Sequence, residues 1–438
     1  MWNFLNNLQK SKHILGINAR NIKYITPFNH KSAIRIADNK ILTKKILKKT
    51  GLPVAITHAI IHSRKELQNF SWQTLPKSFV IKPNRGLGGE GIIVVYGKKK
   101  NRDCWVKADG TLITIPYLIN HTLGILDGDF SRVNIPDITI FEERIKIHPA
   151  LKPYAFCGLP DIRIIVFNNI PIMAQLRLPT KESGGTANLH RGGIGAGIDM
   201  ANGITTNAIQ RDKIINFIPE SIIPVRGIKI PFWQEILELA VETQKITKLG
   251  FMGIDIAIDR DKGPIILEIN ARPGLSIQIA NMAPLNERLE RIKGLHVRTT
   301  KKSVRLSKEL FGGEIEEEIE EISGKKVIGA REQVKIFSSD NEQYETVAKI
   351  DTGAYRSSIC YSVADKLNLN KSIKKKSVRS ALGNEERDIV SLKFMLDNSL
   401  IDTEAFLAKR ENMKHDMIIG RKDIKKHLVD AAKNVRLK

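Results

Sequence analysis

Cysteine is scarce in this chain: three residues in 438, Cys104, Cys157 and Cys360, odd in number and far apart. That excludes a disulfide framework and every paired-cysteine metal or redox spacing, and a reducing, cytoplasmic setting is the expectation. Long hydrophobic runs are missing too. None approaches the roughly 18 apolar residues that span a bilayer. The opening MWNFLNNLQKSKHILG carries its apolar residues in ones and twos, without a signal-peptide core, so no membrane partner is expected. Acids are the third shortage. The first hundred residues hold nineteen Lys/Arg against three acids, Asp38, Glu66 and Glu90, in a chain of net charge +23. Such a stretch is either a face for polyanions or part of a chain-wide bias toward Lys, Ile and Asn. No zinc-finger, homeodomain or other nucleic-acid motif accompanies it, so nucleic acid is not an expected partner.

What is present is enough apolar residue, 42% of the chain, to build cores. The length calls for more than one of them. Residues 30–70 read as helical stretches, with KILTKKILKKTGLP giving apolar positions at 3–4 spacing and a Gly-Leu-Pro stop. SFVIKPNRGLGGEGIIVVYG reads as strand, glycine loop, strand, and ITIFEERIKI as a further strand. DIRIIVFNNIPIMAQLRLP reads as a hairpin turning at Asn168-Asn169. PFWQEILELAVETQKITKLG is an amphipathic helix expected to end at Gly250, feeding a second hairpin, FMGIDIAIDRDKGPIILEINARPG. Beyond about residue 295 the composition turns basic, then acidic with glycines, which assigns 296–324 to a charged linker. Residues 325–438 hold short β-rich runs, the size of one small domain.

The second hairpin carries the chemistry. Alternation puts Glu268 and Asn270 on one face, and the turn near Arg260–Gly263 brings Asp255 opposite Glu268. Two carboxylates and an amide oxygen on rigid strands suit Mg²⁺ (or Mn²⁺); the plainer reading is the solvent face of a sheet. Upstream, VIKPNRGLGGEGI offers Lys82 at a strand end and glycines at 86, 88, 89 and 91, whose backbone N–H groups can approach phosphate oxygens. Alone that loop says little, being neither a Walker loop nor a dinucleotide fingerprint. Its weight comes from standing upstream of the acidic hairpin.

In order, ADNKILTKKIL, SFVIKPNRGLGGEGI, FEERI, DIRIIV, ANLHRGGIGAG, GIDIAID and ILEINARPGL resemble the ATP-grasp superfamily, and within it the alpha-L-glutamate ligase-like, RimK-related proteins, over roughly residues 10–285. The resemblance implies an ATP-grasp domain over 1–295, ATP and Mg²⁺ as cofactors, and an α+β fold. It also implies a carboxylate–amine ligase that joins an amino acid, glutamate among the choices, to a peptide or small carboxylate acceptor through an acylphosphate. Carried over by residue, Lys44 and Lys82 would contact ATP phosphates under the Gly86–Gly91 loop. Glu142, Glu143 and Arg144 would form the hinge that reads adenine and ribose, with Asp161 and Asn188 at further ATP-site positions. Asp255, Glu268 and Asn270 would ligate Mg²⁺, while Arg163, Arg177 and Arg191 would hold phosphate or the substrate carboxylate. His190 is expected to pack or hydrogen-bond rather than to act as a base.

The tail adds VAKIDTGAYRSSI and DMIIGRKDI. An apolar strand, Asp351 and a tight Thr-Gly-Ala turn, followed by an apolar-apolar-Gly-Arg segment, resemble a retropepsin-like aspartic peptidase. The tail also resembles the family called "ATP-dependent zinc protease". His415 and His427 are isolated and Cys360 has no partner spacing, so no zinc is expected. One Asp-Thr-Gly per chain implies a homodimer, in which Asp351 of two copies shares a proton. Binding without hydrolysis is the other reading of this domain. For the whole chain the rival readings are a peptidase with a regulatory ATP-grasp part and a non-catalytic polyanion-binding protein.

Overall fold

The computed structural model describes residues 14–86, 88–99, 104–107, 109–131, 134–313, 325–338, 342–369, 372–380, 383–410, 414–430 and 433. The chain divides into two compact units, 1–313 and 314–438.

The first unit begins with short helices, among them Lys31–Ala37 and Lys40–Lys49. Asn39 caps the second by accepting from the Leu42 N–H, a common way to satisfy an orphan donor at a helix start. A small sheet follows, ordered β1-β7-β2-β3, from β1 (Thr57–Ile61), β2 (Phe79–Pro83), β3 (Ile93–Val95) and β7 (Thr139–Glu143). Between β3 and β7 lie a three-stranded meander, β4 (Gly97–Lys98), β5 (Cys104–Val106) and β6 (Leu112–Thr114), and the helix Ile115–Asp127. Phe79, Ile81, Trp105 and Phe141 fill the core of this lobe. The helical reading of 30–70 therefore fails at β1. Thr57–Ile61 pairs with β7, and non-local pairing outweighs local pattern there.

A seven-stranded antiparallel sheet, β12-β11-β10-β9-β8-β13-β14, is the centre of the first unit. Its strands are β8 (Asp161–Phe167), β9 (Ile170–Leu178), β10 (Ile194–Ile198), β11 (Thr205–Gln210), β12 (Lys213–Ile215), β13 (Phe251–Asp259) and β14 (Gly263–Asn270). The β8–β9 turn falls at Asn168-Asn169, with φ of 50° and 61°, left-handed values that Asn tolerates. The helix Trp233–Thr247 packs on the sheet, burying Ile236, Leu237, Ala240 and Val241 among Ile162, Ile164, Ile254 and Ile256. It ends earlier than expected, at Thr247, with Lys248 left-handed; Gly250 instead lets the Phe28 backbone pass, since a Cβ there would lie 2.5 Å from Phe28 O. Residues 300–311, assigned to a linker on composition, form a helix that buries Val304 and Phe311 in the same core. The remainder of that stretch, 314–324, lies outside the described residues.

Among its described residues the second unit is all-β apart from the helix Tyr361–Lys366. Its strands are β15 (Lys326–Gly329), β16 (Arg331–Phe337), β17 (Gln343–Asp351), β18 (Ser358–Cys360), β19 (Lys374–Ser380), β20 (Gly383–Leu396), β21 (Ser399–Ala408), β22 (Met417–Gly420) and β23 (His427–Asp430). The order β16-β17-β22-β18-β21-β20 closes on itself through β16–β20, a six-stranded barrel with β19 attached outside and β15 paired to β23. Alternate residues point inward: Val334 and Ile336, Ala348 and Ile350, Val390, Leu392 and Phe394, Ala405 and Leu407. The period of two that marked these runs as strands also supplies the barrel's core.

Candidate active site

The helix Lys40–Lys49 presents Lys40 and Lys44 one turn apart, and Lys82 closes β2. Glu142 lies on β7 opposite Val80, diagonal to Lys82. Glu142 receives both Lys44 (2.6 Å) and Lys82 (2.8 Å) on its two oxygens, and Lys44 also donates to the Ala55 carbonyl. All three side chains are nearly buried. Burial, with Lys82 nearby, pushes Lys44 down to about 8. Burial works to raise the Glu142 carboxyl, but Lys82 and Lys44 together hold it below its ordinary value. Asn84 joins the lobe to the helix, its Oδ1 accepting from the Ile41 N–H at 3.0 Å. Lys40 donates to the Gly86 carbonyl at 2.9 Å. Burial lowers its pKa, Glu268 pulls it back up, and Lys82 opposes it. One lysine thus stands between the two lobes' charges.

The second cluster lies across the large sheet. Register places Gln175, Arg163, Asp255 and Glu268 in one cross-strand row over β9, β8, β13 and β14, and Asp161 opposite Arg177 two residues along. Arg163 grips Asp255 with two bonds (2.7 and 2.5 Å), and Arg177 bridges Asp161 (2.5 Å) and Asp255 (2.7 Å). Burial would raise the Asp255 carboxyl, but the two guanidinium groups hold it well below the carboxylate range. Asp161 has one such partner and a neighbouring carboxylate, and burial raises it. Arg163 reaches 4.0 Å from Glu268, and Asn270 Nδ2 lies 3.4 Å from Glu268 Oε1.

Among the described residues no group of three or more His, Cys, Asp and Glu is gathered as for a metal ion. The expected set needs the Asn270 amide as its third donor. Two opposed carboxylates and an amide oxygen still fit a hard divalent cation in kind. Asp255 is already engaged by two arginines, so Glu268, about a third exposed, is the carboxylate more open to one.

The glycine loop sits against the 186–191 segment. Asn188 Nδ2 donates to Gly88 O at 3.0 Å, and the exposed Arg191 meets Glu90 at 3.0 Å. Gly88, Gly89 and Gly91 all have φ between 62° and 83°, and a Cβ on Gly91 would lie 2.7 Å from the Phe130 ring. Gly86 packs on Pro83. The hinge residues diverge: Glu142 faces the lysines, Glu143 accepts from the Ile56 N–H and pairs with Lys262, and Arg144 stacks on Tyr96 at 4.4 Å. The structure therefore brings together Lys44, Lys82 and Glu142, and separately Asp161, Arg163, Arg177, Asp255, Glu268 and Asn270. Arg191 and Asn188 stand apart with the glycine loop.

Lys40, Asn84 and Gln175 were not singled out from sequence. Lys40 precedes Lys44 by one helical turn and Gln175 precedes Arg177 by one strand period, so both had a positional signal.

In the second unit Asp351 ends β17, and its Oδ1 accepts from the Gly353 and Ala354 N–H groups at 2.9 and 3.1 Å. Ile418, Ile419 and Gly420 run parallel beside Lys349, Ile350 and Asp351. Arg421 N donates to Ala354 O, and Ser357 Oγ donates to Asp423 at 2.5 Å while accepting from Gly420 N. The Asp-Thr-Gly loop and the Ile-Ile-Gly-Arg segment are thus laced together by backbone and hydroxyl bonds.

Residues 19–294 match the family described as sugar-transfer associated ATP-grasp. No curated protein matches the chain in sequence. Among solved structures the chain is similar to the ATP-grasp ligase PsnB complexed with minimal precursor (14% identity, 61% of this chain and 63% of that one, TM-score 0.33). It is also similar to D-alanine–D-alanine ligase from Bacillus anthracis complexed with ATP (15%, 64% and 68%, TM-score 0.33). A smaller stretch is similar to Lpg0085 of Legionella pneumophila, a protein of unknown function (17%, 26% and 98%, TM-score 0.18). The chain spans about six tenths of the length of PsnB, 63%.

Proposed function

The chain belongs to the sugar-transfer associated ATP-grasp family, and from that premise we propose that its first unit is an ATP- and Mg²⁺-dependent carboxylate–amine ligase. The observation that carries this reading is the pair of charge clusters, Lys44 and Lys82 on Glu142, and Arg163 and Arg177 on Asp255 beside Glu268, with Lys40 between them. ATP would supply phosphoryl activation of the carboxylate as an acylphosphate, and the cation would neutralise phosphate charge.

The chain's own residues do the rest. Lys44 and Lys82 exchange Glu142 for phosphate oxygens. The Gly86–Gly91 loop covers the phosphates with backbone donors, with Asn188 fixing the loop at Gly88. The end of β7 that carries Glu142, Glu143 and Arg144 would form the hinge beside adenine and ribose, with the three side chains directed to separate partners. Asp255, Glu268 and Asn270 would hold the cation. Arg163, oriented by Asp255, and Arg177, oriented by Asp161 and Asp255, hold charge that develops on the transferred group, and Arg191 stands with the glycine loop at Glu90. The amine substrate is an amino acid, with glutamate the first choice by RimK-related resemblance, and the acceptor is a peptide or small carboxylate.

The second unit is proposed to be retropepsin-like, with Asp351 pairing with Asp351 of a second copy to hydrolyse or bind the product in the cytoplasm. Supporting it are the two backbone donors on Asp351 and the parallel Ile-Ile-Gly segment. Mass spectrometry of products from ATP, Mg²⁺, an amino-acid mixture and a peptide pool tests the ligase. Lys82→Met and Glu268→Gln are each expected to cut ADP release about 100-fold. Absence of ATP–Mg²⁺ binding in calorimetry would sink the reading.

A further inference from the structure

His121 is a half-buried histidine whose ring touches the glycine loop. It lies on the helix Ile115–Asp127, whose Leu118, Ile125 and Leu126 pack in the lobe's core with Phe79 and Phe141. That helix starts at Thr114, whose side chain accepts from the Tyr117 N–H, and stops at Gly128 with φ of 95°. The element that carries His121 is thus capped at both ends. From it His121 Nε2 reaches the Gly91 carbonyl at 2.9 Å. A carbonyl oxygen only accepts, so Nε2 carries the proton. Burial holds the imidazole below its ordinary value; the Gly91 bond opposes that and Lys107 adds to it. The ring is therefore neutral at pH 7, with its one N–H directed at the loop.

Aromatic neighbours hold the ring in that direction. Phe130 lies 5.1 Å from it between centroids, and Tyr117 lies parallel to it at 6.5 Å and 2°. The same Phe130 ring fills the space a Gly91 side chain would need, and Gly91 has φ of 71°. The other foot of the loop is held in a similar way. Lys40 donates to the Gly86 carbonyl at 2.9 Å and to the Asn84 carbonyl at 3.3 Å, and Gly86 packs on Pro83. Between the feet the contacts come from the 186–191 segment, Asn188 on Gly88 O and Arg191 on Glu90. Those two middle contacts are exposed, whereas the bonds at the feet are half-buried.

We propose that His121 is a positioning residue for the phosphate-binding loop, fixing Gly91 so that the loop's backbone N–H groups are aimed at the phosphates before nucleotide binds. The proposal deepens the ligase reading and rests on it. Glycines at 86, 88, 89 and 91 allow close approach to phosphate, but glycine loses more backbone freedom on ordering than any other residue. A foot already fixed to a capped helix lowers the share of that ordering which falls on binding. Without the Nε2–H the Gly91 carbonyl loses its side-chain donor, and only the Phe130 contact still holds that foot.

Calorimetry on the full chain tests it, with Mg²⁺ and a non-hydrolysable ATP analogue in one series and adenosine in the other. His121→Phe keeps a ring against Tyr117 and Phe130 but cannot donate. The analogue should then bind about tenfold more weakly, while adenosine, which brings no phosphate, binds as before. A glutamine amide nitrogen stands near the place of the imidazole Nε2, so His121→Gln should restore analogue affinity to within about threefold. Should His121→Phe fail to fold, His121→Asn, whose amide is too short to reach Gly91, decides by the same comparison. Unchanged analogue affinity in the folded variant overturns the proposal. An equal loss for analogue and adenosine would mark a purely structural role and overturn it too, as would a His121→Gln protein that binds no better than His121→Phe. No analogue binding by the wild-type protein would instead bring down the ligase reading, and the proposal with it.

Discussion

Lys44 is pulled in two directions, down by burial and Lys82, up by Glu142, and the first wins, leaving it at about 8. Between that value and its unfolded 10.5 the unfolded chain holds a proton that the folded one does not. Stability from this group therefore rises with pH through that window and is reduced below it. A bound phosphate reverses the balance by favouring the ammonium. Nucleotide binding near pH 8 should take up a proton, and affinity should fall as pH rises through about 8. Calorimetry in two buffers of different ionisation enthalpy measures that uptake, and Lys44→Met should remove it. Across the sheet, Asp255 neutralises Arg163 and shares Arg177 with Asp161. Asp255→Asn should cost about 3 kcal/mol in urea unfolding, because it leaves buried guanidinium charge short of a partner. An unchanged midpoint would mean that solvent screens the cluster.

The helix 300–311 shows where pattern reading misleads at the scale of an element. Its sequence, TKKSVRLSKELF, is basic enough to pass for a linker, yet Ser303, Val304, Ser307 and Phe311 fall on one helical face and are buried. Phe311 also lies under Arg288 and Arg291. Phe311→Ala should therefore destabilise the first unit by about 3–5 kcal/mol, read by thermal or urea unfolding of that unit. A linker position would lose almost nothing. The hairpins were easier to read, because Asn168-Asn169 names its own turn and Asp255 and Glu268 fall opposite one another at period two. Thr57–Ile61 was not legible. Five residues pairing with a partner more than seventy positions away leave little local trace.

For the whole molecule, the division at 313/314 makes a further expectation. A chain cut after Gly313 should fold and bind nucleotide as the full chain does. One cut after residue 295 should melt earlier, since it loses the helix that seals the core. Asp351→Asn should leave nucleotide binding untouched while removing any peptide cleavage, assayed by product length in mass spectrometry. Equal cleavage in both proteins would retire Asp351 as a peptidase residue.

The sequence by itself determined the cast and much of the local geometry: glycine loop, lysine-bearing helix, acidic hairpin, β-rich tail, and which side chains share a strand face. Those features depend on neighbours within a turn or a period, so local physics fixes them. Only tertiary structure decided that Asp255 would be held by Arg163 and Arg177, that Lys40 would stand between two lobes' charges, and that Gln175 would be buried with an unanswered oxygen. Each of those depends on strand register and burial between segments remote in the chain, and no local pattern encodes the pairing of distant strands.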